Sequence, residues 1–123
     1  MRHRHTILVA AALALAACDN SAAPARYTAQ GSWSGQETFG STVISLTLSQ
    51  QGDVVSGSGT VAGERTIPVT ATGSAVSANF ELTLTSPGYQ PVQMTGGFTA
   101  RDQIEAYMVG SGFYGDQILL QRQ

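Results

Sequence analysis

The chain contains no lysine, a single cysteine and only two histidines, His3 and His5, both among its first five residues. Charge of either sign is scarce: six arginines and eight acids in 123 residues. Each shortage removes a class of chemistry. Without lysine there is no Ser-Lys pair and no Schiff base, and beyond residue 5 no histidine remains to activate a serine or cysteine nucleophile. Zinc and copper sites draw on Cys and His, so no metal site is expected. No glycine-rich phosphate loop precedes a helix, because no window past residue 17 carries a 3.6-residue apolar stripe. Carboxylate chemistry of the glycosidase kind is left. Among the acids only Glu37 falls where alternation points a side chain inward. One interior acid is not a pair, so an enzyme is not expected.

What is present begins with Arg2 and Arg4, followed by an apolar run from Ile7 to Ala17. Eleven residues are too few to span a ~30 Å hydrocarbon core as a helix, yet they suit the core of a secretion signal. The run closes on Leu15-Ala16-Ala17-Cys18. These four residues resemble the lipobox of bacterial lipoproteins, in which leucine and two small residues precede the cysteine that becomes the new N-terminus. The resemblance implies a signal peptide over residues 1–17 and a diacylglyceryl thioether on Cys18, often with a further acyl chain on its amine. Those covalent chains are the only cofactor-like groups expected. Two or three of them make a stable anchor, each buried methylene contributing ~0.8 kcal/mol. The implied partner is a membrane and the implied place the periplasmic side of the cell envelope, the outer membrane favoured over the inner. Asp19 keeps that choice open, since aspartate after the lipidated cysteine favours inner-membrane retention in enteric-type bacteria.

Loss of the signal leaves Arg26, Arg65, Arg101 and Arg122 against all eight acids, a balance of 4 − 8 = −4. An acidic domain without a basic stripe is a poor match for nucleic acid or anionic headgroups. Residues 18–30 are small and polar, include Pro24, and read as a flexible tether reaching up to ~40 Å.

Residues 31–123 read as one all-β domain. Thr42–Gln50 alternates with Ile44, Leu46 and Leu48 on one face; Ala75–Thr85 does so with Val76, Ala78, Phe80, Leu82 and Leu84. Further strands are predicted at Gly31–Phe39, Val54–Ala62, Thr66–Thr72, Pro91–Ala100, Gln103–Gly112 and Gln117–Arg122. Turns are expected at Gln51-Gly52-Asp53, Gly73-Ser74, Pro87-Gly88 and Arg101-Asp102. Eight short strands in a meander predict a small antiparallel up-and-down barrel, because closure removes two aggregation-prone edges; a β-sandwich is the alternative. Gly35, Gly57, Gly59, Gly96 and Gly110 fall at inward positions, where they let strands bend. Pro68 cannot donate to a ladder and should mark a bulge or strand start.

Gly31-Ser32-Trp33 opens the first strand and Arg122 lies in the last. This pairing resembles the structural signature of calycin-like barrels, the group of lipocalins and avidins, in which an arginine or lysine of the final strand packs over the tryptophan of a Gly-x-Trp. The resemblance implies that Arg122 stacks on Trp33.

In a meander, alternate turns share an end. The end away from the tether should therefore gather Phe39, Tyr89, Phe113 and Tyr114 beside Glu37, Arg65 and Asp116, as a candidate ligand or partner rim. The expected role is a non-enzymatic binding or interaction module whose partner is an envelope protein. The alternatives are a small apolar ligand held in the barrel, inhibition of a lysozyme or protease, and a structural envelope component. Predicted interior residues such as Leu46, Phe80 and Met108 would have to leave a void for the first of these.

Overall fold

The structure, a computed structural model, describes residues 27–123. The signal segment, Cys18, Asp19 and the first part of the expected tether lie outside the described residues. Eight strands follow in order: β1 (Gly31–Gln36), β2 (Val43–Gln51), β3 (Val54–Ala62), β4 (Thr66–Val76), β5 (Asn79–Thr85), β6 (Val92–Ala100), β7 (Gln103–Gly110) and β8 (Phe113–Arg122). Each pairs antiparallel with the next and β8 returns to β1, so the sheet closes as an up-and-down barrel and not as a sandwich. The described residues contain no helix.

Period-two alternation drives this closure. Ile44, Leu46 and Leu48 of β2, Phe80, Leu82 and Leu84 of β5, Ile104 and Met108 of β7, and Ile118 and Leu120 of β8 are all buried. Each such side chain stabilises the fold by about 1.5–3 kcal/mol relative to exposure. Together they fill the middle of the barrel with the chain's own side chains.

Several strand boundaries differ from the sequence expectation: β1 ends at Gln36 and not Phe39, β7 at Gly110 and not Gly112, and two turns fall elsewhere. Gly73-Ser74 is not a turn: β4 runs on to Val76, and the chain reverses at Ser77-Ala78, with Ser77 at φ 53°. Alternation in β4 thus carries Val69, Ala71 and Ala75 inward and leaves Val76, expected inside, 47% exposed. Gly73 serves close approach instead, because a Cβ there would fall on the Glu81 carbonyl of β5. The last strand begins at Phe113, not Gln117. Ser111 (φ 52°) and Gly112 (φ 96°) make a two-residue reversal with both residues left-handed, the geometry that matches strand twist. Gly115 is then the extra residue between the pairs Val109–Tyr114 and Met108–Asp116.

Pro68 lies in regular register opposite Thr60 of β3, with neither bulge nor strand start. Pairing of β4 with β5 begins only at Thr70, opposite Thr85. Pro68 therefore sits where β4 has no second neighbour, and its missing N–H leaves no ladder bond unmade.

The end where the described chain begins is plugged. Trp33, 1% exposed, lies opposite Arg122 in the β1–β8 register, and the guanidinium carbon stands 4.3 Å from the indole centroid. Phe98 meets Tyr27 in a stack at 5.2 Å and Trp33 and Phe80 edge-on at 6.1 and 6.2 Å. The Trp33 indole N–H donates to the Ala29 carbonyl at 2.9 Å. Arg122 pairs with Asp102 (2.7 Å) and donates to the Thr28, Gln30 and Arg101 carbonyls. Gln50 adds two more ties, accepting the Ala29 N–H on its side chain and donating its own N–H to the Gln30 side chain. The last residues of the expected tether, Thr28–Gln30, are in this way strapped to the barrel base.

Candidate functional site

The opposite end is open. The β1–β2, β3–β4, β5–β6 and β7–β8 connections surround a cavity of about 440 Å³. Its walls are Val61, Ile67, Val69, Leu84, Val92 and Phe113; Thr42, Glu64, Arg65, Ser86, Tyr89, Gln90 and Ser111 supply polar groups around it. Val69, Leu84 and Val92 are buried core, whereas Val61, Ile67 and Phe113 are only partly buried and pack on that core from above. An apolar cup with a few polar groups at its lip is the common form of a small binding site. One side of the cup is cut low: Val69 and Ser86 also line an outer groove with Pro68, Thr70 and Thr85, where β4 and β5 have parted.

The seven residues expected at the rim divide into three groups. Arg65, Tyr89 and Phe113 line the cavity. Glu37 and Asp116 meet at the β1–β8 seam. Phe39 and Tyr114 point to solvent, 91% and 90% exposed. The aromatics therefore do not converge on one point; only Tyr89 and Phe113 belong to the cup. Reversing at Ser111-Gly112 puts Phe113 and Tyr114 on a strand, where successive side chains take opposite faces, one inward and one outward.

The sequence places Glu37 and Asp116 at the same rim but Asp116 ahead of the last strand, whereas the structure sets it on β8. Glu37 bridges Ile118 across the seam, and Thr38 donates its N–H to the Gln117 carbonyl at 2.8 Å. Asp116 opposes the buried Met108, and its carboxylate accepts the Tyr114 N–H at 3.1 Å. Parity would have found the pair had the Gly115 bulge been recognised. The Glu37 carboxyl is held above its ordinary value of 4.5, first by its hydrogen bond with the Asp116 carboxyl, then by desolvation and by the Asp116 charge. Bonds from the Thr42 backbone and hydroxyl pull the other way.

This raised value has a consequence for stability. Between the ordinary value and the raised one the folded chain holds more protons than the unfolded chain, so this group's contribution falls as pH rises through that window. Asp116→Asn should lessen that fall, since only desolvation then raises the Glu37 carboxyl, giving a flatter melting-temperature profile above pH 4.5 than the parent. Parallel profiles for the two proteins would show that the carboxyls do not interact.

Among the described residues no group of three or more His, Cys, Asp or Glu side chains is placed to hold a metal ion. No protein-family model, curated protein or solved structure matches this chain.

Proposed function

We propose that the chain is a bacterial lipoprotein, anchored through acyl chains on Cys18, whose calycin-like barrel is a non-enzymatic binding module working through the rim opposite its base. One observation carries the reading: the two barrel ends are unlike. The base is plugged by Trp33, Phe98 and Arg122 and strapped by residues 28–30, while the far end holds an open apolar cup. An anchor at Cys18 stands nine residues before Tyr27, a reach of at most about 30 Å, and turns the base toward the bilayer and the cup away from it. Envelope proteins on that side are the natural partners; nucleic acid, metals and further cofactors have no part in this reading.

The cup supports a second reading, a compact apolar ligand seated on Phe113, Ile67 and Val61. Its volume of about 440 Å³ lies at the small end of ligand pockets.

Two measurements test the proposal. Cys18→Ser should move the protein from the membrane to the soluble fraction, and unchanged membrane association would overturn the anchor. Hydrogen exchange of the protein in its native envelope, against the same protein in detergent micelles, should show extra protection at residues 37–42, 63–65, 86–91 and 111–116. Equal exchange at all four connections would remove the rim reading.

A further inference from the structure

We infer that the outer lip where β8 meets the β1–β2 connection is a docking surface for a basic protein, with Phe39 and Tyr114 as its aromatic anchors. The inference rests on the rim reading above and narrows its partner. Soluble monomers seldom leave large aromatics almost fully in water, and exposed apolar patches mark contact sites. Phe39 follows Thr38, whose N–H is held by the Gln117 carbonyl, so its connection is pinned against β8. Tyr114 opens β8 on its outer face, opposite Val109 of β7, and Tyr107 stands two residues back on that same face. All four side chains are among the large apolar groups most exposed on the molecule. Tyr114, Val109 and Tyr107 form one strip down the outside of β7 and β8, and Phe39 stands on the β1–β2 connection, which the Thr38 N–H ties to β8.

Charge decides what fits against the strip. The charged group on the same outer face is Glu105 of β7, and Glu37 and Asp116 stand across the lip on its mouth side, in register with Ile118 and Met108. No described cation accompanies them. Arg65 lies on the β3–β4 connection, half the ring of strands away, and Arg101 and Arg122 belong to the base. An aromatic surface edged only by carboxylates favours a partner presenting arginine or lysine around an apolar spot. Such cations can lie over the Tyr114 and Phe39 rings on the outer face and reach over the lip to Glu37 and Asp116 at the mouth. Tyrosine and phenylalanine at nearly full exposure are rigid anchors with few rotamers to lose.

The test places the photocrosslinker p-benzoylphenylalanine at position 39 or 114, in the intact cells that make the protein, with positions 65 and 89 across the mouth as comparison. Positions 39 and 114 are exposed, and an aromatic replaces an aromatic there, so folding is preserved. Both should yield an adduct with the same protein, through a contact peptide of net positive charge. Glu37→Gln combined with Asp116→Asn should lower that yield at least fivefold, and so should raising the salt of the purified complex. A neutral or acidic contact peptide, a lipid or glycan adduct, a second copy of this chain, or no adduct at 39 and 114 would each overturn the inference. Adducts at 65 or 89 with none at 39 and 114 would leave the rim reading standing; silence at all four positions would remove both.

Discussion

Trp33→Ala will lower the unfolding free energy by about 3–5 kcal/mol, the range for deleting a large buried aromatic. Three losses coincide at this position. The indole is 1% exposed and packs edge-on against Phe98, so its removal opens a cavity in the plug. Its N–H is the partner of the Ala29 carbonyl, on a residue that is fully buried, and an orphaned buried acceptor adds its own penalty. Arg122 loses the ring beneath its guanidinium. Small domains have only about 5–15 kcal/mol in all, so the variant should unfold at much lower urea. Circular dichroism is the suitable readout, because Trp33 is the single tryptophan and its fluorescence disappears with it. A loss below about 1 kcal/mol would mean that the base is not packed as described.

The second large effect is expected at Gly59, which lies between Leu46 of β2 and Val69 of β4. A Cβ at this position would collide with the Ser45 carbonyl and stand 2.8 Å from the Leu46 Cα, both backbone atoms that no rotamer change can move. Gly59→Ala must spread β2 from β3 and should cost about 3 kcal/mol, the upper part of the range for overpacking. Gly52→Ala is the comparison. That glycine has φ 61° at the β2–β3 turn with nothing within 4 Å of the added methyl, so backbone strain of about 1–2 kcal/mol is the whole effect. Equal melting temperatures for the two variants would show that β2 and β3 do not approach as closely as described.

These two glycines also show what could be read in advance. Alternation in Ile44, Leu46 and Leu48, or in Phe80, Leu82 and Leu84, is a strong local signal: β2 matches its expected range to within a residue at each end, and β5 keeps its expected end at Thr85 but starts at Asn79, not Ala75. Glycine is ambiguous, because it serves both turns and tight interstrand contacts. Gly73-Ser74 looked like a turn and proved to be the second kind, so β4 runs on through Val76, and Ala75 rather than Val76 faces inward. Gly115 raised the same difficulty. It fell in the expected connection between Gly112 and Gln117, where the chain instead reverses at Ser111-Gly112 and then bulges at Gly115. The Trp33–Arg122 pairing was legible from a short motif at each end of the domain. The cup was not: Val61, Ile67, Val69, Leu84 and Val92 looked like ordinary strand residues, and only the parting of β4 from β5 leaves their end of the barrel open. The seam carboxyls depended on pairing across eighty residues, which no local pattern encodes.

The strap at the base has a mechanical consequence. Arg122 holds the Thr28 and Gln30 carbonyls while its own backbone N–H donates to Asp102, so the beginning and end of the folded chain share one knot. A pull on the leading segment cannot strip β1 from the barrel like a zipper. The load passes first to the final strand and to the β6–β7 corner, and several bonds must break at once before either terminus frays.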